Sequence, residues 1–150
     1  MSRYDKAAIK KPTLAASMTA FPYTVDVEIS LTQARIMMAE HHIRHLPVME
    51  EGALIGVISD RDIKLGMAVS AGLKSDIGVS VVGDVYSARV YQVDIQPPLE
   101  QVATGIYEGH IGSAVVTRHG KVVGMFTASD ACRCLAALLQ EPTPPEDDVA

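Results

Sequence analysis

The sequence predicts an α+β fold of two β-α-β-β-α repeats packed about a pseudo-two-fold axis. Three observations predict it. First, residues 18–62 align without a gap over residues 86–130, an offset of 68. Thirteen pairs are identical, among them Ala20/Ala88, Tyr23/Tyr91, Leu31/Leu99, His42/His110, Gly56/Gly124 and Asp62/Asp130. Ordinary composition would give roughly three. Second, the same order of strand-like and helix-like apolar patterns recurs in each copy. Third, a unit of about 60 residues is marginal for a core of its own, so the copies are expected to share one apolar interface.

The elements follow in chain order. Residues 1–17 form a lead-in that begins polar and basic and is interrupted by Pro12. In the first repeat, taken as residues 18–72, Tyr23 to Val27 is extended. Ser30 can cap a helix from Leu31 to about His42, whose apolar stripe is Leu31, Ala34 and Met38 with Met37 beside it. His45 to Met49 is a strand, residues 50–53 a hairpin turn with Gly52 free to take a positive φ, and Leu54 to Ile58 a buried strand. A second helix begins near Asp60 and carries Ile63 and Met67. A linker, residues 73–85, leads to the second repeat, residues 86–139. There Gln92 to Ile95 is extended, and Leu99 to Glu108 is a helix weakened by Gly105. Ser113 to Thr117 and Val122 to Thr127 are strands, and Ala128 to Leu139 is a helix with Ala131, Leu135 and Leu138 on one face. The acidic, Pro-rich tail, residues 140–150, is expected to be disordered.

Composition narrows the function classes. The chain is 48% hydrophobic but 5% aromatic, which calls for an aliphatic core. A net charge of −5 argues against a general nucleic-acid binder. No apolar run approaches the ~18 residues of a membrane helix, and Met1 to Lys6 has no apolar signal region. A soluble, cytoplasmic protein is expected. Cys132 and Cys134, two apart on a helix, face different directions and are read as ordinary thiols. Ser59 lacks the Gly-x-Ser-x-Gly setting of a hydrolase nucleophile, and no phosphate-binding Gly-rich loop is present. No enzyme activity is expected. His41 and His45 are four apart, but Pro47 and the strand pattern end the helix there, so no metal site is expected either.

Two segments in each copy carry chemistry. Gly56 to Asp62 and Gly124 to Asp130 each run from a buried strand through a hydroxyl residue, Ser59 or Thr127, to an Asp three positions on. The spacing is that of a helix cap. It also suits a nucleotide, because helix-start N–H groups favour a phosphate and a carboxylate accepts from a ribose diol. Both readings use the same residues. The second segment is Ile43 to Val48, where Arg44 can fork onto phosphate oxygens and His45 can add a pH-sensitive donor. Gly112 and Ser113 stand at their positions in the second copy, and Ser129 stands where the first has Arg61, so the two sites are not expected to be equivalent.

The opening Met18-Thr19, the run Ile43-Arg-His-Leu-Pro-Val48, and the runs Gly56 to Ile63 and Gly124 to Asp130 resemble a tandem pair of CBS domains, the Bateman module. The resemblance covers roughly residues 16–139. It implies two repeats packed through their sheets, with clefts that bind AMP, ADP, ATP, S-adenosylmethionine or related adenosine compounds as regulatory ligands, with no cofactor required. It implies ribose contacts from Asp62 and Asp130, with Ser59 and Thr127 near ribose or phosphate. Arg44, His45 and Arg61 would approach phosphates, and adenine would sit near Val25, Ile43, Ile58 and Phe126. One good site and one weak one are expected, since the cations belong to the first copy. A homodimer is expected, with Met67 and Leu138 as exposed interface positions, and a separate effector protein would receive the signal. The alternative is an interaction or oligomerisation protein with the fold and no ligand.

Overall fold

A computed structural model describes residues 11–20, 23–72 and 81–140. The order of elements is α1 (Leu14–Ser17), β1 (Thr19–Ala20), β2 (Val25–Asp26), α2 (Leu31–His41), β3 (His45–Glu50), β4 (Ala53–Ser59) and α3 (Asp60–Gly72). A single 3-10 turn (Val82–Asp84) leads to β5 (Gln92–Asp94), α4 (Leu99–Gly109), β6 (Ser113–Arg118), β7 (Lys121–Thr127) and α5 (Ala128–Leu139). The expected tail lies almost wholly outside the described residues, as do residues 73–80 of the linker.

Each repeat builds one sheet. In the first, β2 lies parallel to β3 and β3 antiparallel to β4; in the second, β5, β6 and β7 repeat this. The register is conserved across the offset: Val25 pairs with Val48, and Val93 with Val116. Both hairpins carry a register shift at the same place, Val48/Met49 and Val116/Thr117. Their two-residue turns are Glu51-Gly52 and His119-Gly120, all four with positive φ. That is the twist-matched geometry that closes a tight hairpin.

The copies exchange their opening segments. β1 does not join the first repeat's sheet; it pairs antiparallel with β7, Thr19 opposite Met125 and Ala20 opposite Gly124. At the symmetric place Ser87 bridges Val57 of β4, with N–H···O bonds of 3.0 and 2.9 Å. Accordingly Leu14 and Met18 pack in the second repeat's core with Val102, Ala114, Val116 and Phe126. Val82, placed in the linker on sequence, is buried in the first core with Leu31, Met38, Leu46, Ile58 and Ile63. Between the sheets, Val57 packs with Val115 and Met125, flanked by Leu54, Val90 and Val122. This is the shared apolar interface that small repeats need.

One expectation is corrected, and two helices are described in more detail than the sequence allowed. Met67 is half-buried against the first core and not an exposed position; Leu65 and Val69 are the exposed apolar residues of α3. On α5 Leu138 is exposed as expected, together with Leu135 and Leu139, and it is Ala131 and Cys134 that pack inward. Gly105 lies within α4, and a Cβ there would collide with the Tyr91 hydroxyl, so the glycine makes room for a ring.

Candidate functional site

The strand-to-helix turns are built by their own caps. At the end of β7, the Thr127 N–H donates to Asp130 Oδ2 at 2.9 Å and the Thr127 hydroxyl to the same oxygen at 3.1 Å. The Asp130 N–H returns to Thr127 Oγ1 at 3.4 Å. In the first repeat the Ser59 N–H donates to Asp62 Oδ2 at 2.9 Å, and the Asp62 N–H to Ser59 Oγ at 3.1 Å. Both carboxylates therefore satisfy helix-start donors. They differ in surroundings. Asp130 is 8% exposed, and its Oδ1 accepts from the Arg133 guanidinium at 2.9 Å; Arg133 also donates to the Ser17 carbonyl at 2.7 Å.

The facing wall comes from the end of α2. His42 takes the left-handed conformation at φ 53°, and the His42 and Ile43 N–H groups both return to the Met38 carbonyl, which stops the helix. The chain turns there to present Arg44 and then enters β3 at His45. The Arg44 carbonyl accepts the Asp60 N–H at 2.8 Å, which fixes this turn against the start of α3. His110 caps α4 in the same left-handed way at φ 51°. The Tyr23 ring stacks on His41 with centroids 3.7 Å apart and planes 14° from parallel. The symmetric place is built otherwise: Tyr91 lies over Gly105, and Arg89 donates to the Gly109 carbonyl at 2.7 Å.

Between these walls lies a cleft of about 480 Å³, a volume in the range of small-molecule sites. β1 contributes Thr19 and Ala20, the α2 end contributes His41 to Arg44 and β3 His45, and Tyr23 stands at the edge. Met125, Thr127, Ser129 and Asp130 close the other side. The structure thus brings together Arg44, His45, Ile43, Thr127 and Asp130 of the residues expected from sequence. Arg44 and His45 of the first repeat thus share this cleft with Asp130 of the second, while Asp62 does not line it and acts on His45 only through its charge. β1, paired with β7, lies in this cleft beside the α2 end. Ser59, Arg61 and Asp62 stand at the symmetric turn and do not line this cleft.

Val25, Ile58 and Phe126, expected beside adenine, are 3%, 0% and 1% exposed and lie within the two cores. Period-two alternation explains the displacement: of the neighbours on β7, Met125 and Thr127 face the cleft and Phe126 faces α4 and α1. Sequence reasoning missed Thr19, Ala20, Tyr23, His41, His42, Met125 and Ser129. The identical pair Tyr23/Tyr91 and the hydroxyl pair Thr19/Ser87 were the available signals.

His45 is half-buried, and burial pushes its pKa below the ordinary value; Asp62 opposes that shift and Arg44 adds to it. At neutral pH the cleft therefore carries the fixed charge of Arg44 opposite a carboxylate already countered by Arg133. Hydroxyl groups and a helix start on one wall with a guanidinium and imidazoles on the other suit a ligand with both hydroxyls and an anionic group. Among the described residues no cluster of three or more His, Cys, Asp or Glu side chains is placed to hold a metal ion. Nor is any described helix long and apolar enough to cross a membrane.

The model of the CBS domain matches residues 14–68 and 82–137. The chain belongs to the CBS domain family. Its tandem CBS pair is 27% identical over 137 residues to L-aspartate semialdehyde sulfurtransferase of Methanocaldococcus jannaschii, covering 89% of this chain and 25% of that protein. It is 25% identical over 114 residues to the CBS domain-containing protein YhcV of Bacillus subtilis, covering 76% and 79%. The chain spans about a quarter of the length of the sulfurtransferase and a fifth of that of a second relative, the inosine-5′-monophosphate dehydrogenase of Thermoplasma acidophilum. Among solved structures it matches CBSX2 in complex with AMP at 25% identity and TM-score 0.70, covering 85% of this chain and 98% of that one. The CBS domain pair of protein MJ0100, in complex with 5′-methylthioadenosine and S-adenosyl-L-methionine, matches at 23% identity and TM-score 0.73, with 85% and 98% coverage, and shows the shared fold.

Proposed function

We propose that this CBS pair is a non-catalytic regulatory module that takes an adenosine nucleotide in the cleft between Asp130 and Arg44 and passes occupancy to a separate partner. The observation that carries the reading is that the Thr127–Asp130 helix start and the Arg44–His45 turn line one cleft. The AMP complex of CBSX2 supports the ligand class. In this reading Asp130 and Thr127 meet ribose hydroxyls, and Arg44 and His45 meet phosphate. Ile43, Met125 and Tyr23 border the base, while Val25, Ile58 and Phe126 act as buried support. Ser59, Arg61 and Asp62 form the weaker, second position. A homodimer through the exposed Leu65, Val69, Leu135, Leu138 and Leu139 of α3 and α5 belongs to the same proposal.

A concentration series of AMP, ADP, ATP and S-adenosylmethionine, followed by thermal unfolding, tests it. A ligand that binds only the folded chain adds about 2.7 kcal/mol at a hundred times its Kd, so Tm should climb with concentration for at least one of them. Arg44→Ala should remove most of that climb, and product analysis should find the nucleotide unchanged. A second reading, a ligand-free interaction module, draws on the fact that both carboxylates already serve as caps. It would be favoured by flat Tm values across the whole panel.

A further inference from the structure

Arg133 stands at the boundary between two hollows. On one side is the Asp130 cleft; on the other is a smaller hollow of about 280 Å³ under α1, lined by Pro12, Ala16, Ser17, Leu138 and Arg133 itself. Its guanidinium bonds Asp130 Oδ1 at 2.9 Å and the Ser17 carbonyl at 2.7 Å. Ser17 is buried, and Leu14, one turn earlier, is packed in the second core, so the opening segment is anchored where Arg133 holds it.

A carboxylate offers roughly four acceptor positions on its two oxygens. On Asp130, Oδ2 already accepts from the Thr127 N–H and hydroxyl, and Oδ1 accepts from Arg133. One position remains, and a vicinal diol needs two. The Thr127 N–H is fixed by the capping box, and the Thr127 hydroxyl oxygen stays beside Asp130 by accepting its N–H at 3.4 Å. The Arg133 side chain, 62% exposed and bordering an open hollow, is the donor that can leave at least cost. In the first repeat the same position is Leu65, which cannot hold Asp62 in this way.

Resting on the nucleotide reading, we propose that Arg133 is the coupling residue of this site: a sugar diol that grips Asp130 displaces the guanidinium, and the displaced guanidinium lets go of Ser17. Occupancy of the cleft is thereby read out as loosening of α1 and β1, the segment that the first repeat lends to the second. Arg133 is a positioning residue in this scheme, acting on the ligand through Asp130.

Calorimetric titration with AMP and with 2′,3′-dideoxyadenosine monophosphate, joined to amide hydrogen exchange, tests it on the full chain. Saturating AMP should speed exchange at the Ser17 and Met18 amides, whose acceptors are the Thr13 and Leu14 carbonyls; the dideoxy nucleotide should bind without doing so. Arg133→Met should speed the same amides with no nucleotide present. It should also tighten AMP by about two- to fivefold, the span of an exposed ion pair, and leave the dideoxy nucleotide's affinity unchanged. Weaker AMP binding by Arg133→Met would make Arg133 a direct ligand contact and overturn the coupling. AMP binding with unaltered exchange at Ser17 and Met18 would overturn the coupling alone. No binding of either nucleotide to either protein would remove the nucleotide reading and the coupling with it.

Discussion

Met18 lies across Gly124 with its sulfur in the space a Cβ would need, and 68 residues on Tyr86 lies across Gly56 in the same way. The two identical glycines of the repeat are thus the points where each copy receives the other's opening segment. At Gly56 the added carbon would also meet the Ser87 carbonyl, which is backbone and cannot swing aside. Overpacking of this kind costs about 1–3 kcal/mol. Gly56→Ala is expected near the top of that range and Gly124→Ala near the bottom, since a methionine side chain adapts. Met18→Ala added to Gly124→Ala should recover part of the loss. Urea unfolding of the four proteins decides it; full stability of Gly56→Ala would show that the crossing is loose.

Much of the fold was legible because the repeat reports every element twice. The hairpins, the helix from Leu31 and the helix from Ala128 start and stop within a residue or two of expectation. The exchange of opening segments was not legible, because β1 has two residues and a partner more than a hundred positions away. That one omission propagated to the site: the sharing of one cleft by Arg44, His45 and Asp130, with β1 along it, was not foreseen. Phe126 was drawn toward the ligand for a related reason. An apolar run such as Met125-Phe126 does not say which of two neighbours faces inward when both faces of the strand are covered.

Glu51 and His119 hold positive φ of 48° and 51° in their hairpin turns, before Gly52 at 79° and Gly120 at 76°. An ordinary side chain is strained there, and Asn tolerates it best. Glu51→Asn is expected to stabilise by roughly 0.5 kcal/mol and Gly52→Ala to destabilise by about 1 kcal/mol. Nothing lies within 4 Å of a Cβ built at Gly52, so the cost is conformational and not steric. Thermal unfolding of the two variants measures it, and equal Tm values would refute the turn assignment.

Phe126 and Ile43 separate core from cleft. Phe126 is 1% exposed in the second core, while Ile43 is half-buried and lines the cleft. Phe126→Leu should lower stability by about 1–1.5 kcal/mol and leave AMP affinity within twofold. Ile43→Ala should weaken AMP severalfold at a smaller cost in Tm. Calorimetry on both variants checks the contrast. A large affinity loss in Phe126→Leu, with Ile43→Ala unaffected, would return the base to the interior position that sequence reading gave it.

His45 makes the molecule pH-sensitive in a direction that its surroundings fix. Burial lowers its pKa, with Asp62 pulling upward and Arg44 downward. The unfolded chain therefore binds the proton more readily than the folded one below the ordinary histidine value of about 6.5. Stability from this residue is complete above that pH and is lost as pH falls toward the folded pKa. His45→Gln should flatten that part of the stability profile below about pH 6.5, read from urea midpoints. A phosphate arriving beside the imidazole would favour its charged form and raise the pKa again. AMP binding near pH 6.5 should then take up more protons in the wild-type chain than in His45→Gln. The comparison cancels the nucleotide's own titration near pH 6. Titration in two buffers of different ionisation enthalpy gives the proton count. Equal uptake by the two proteins would place the phosphate away from His45, leaving Arg44 to hold it.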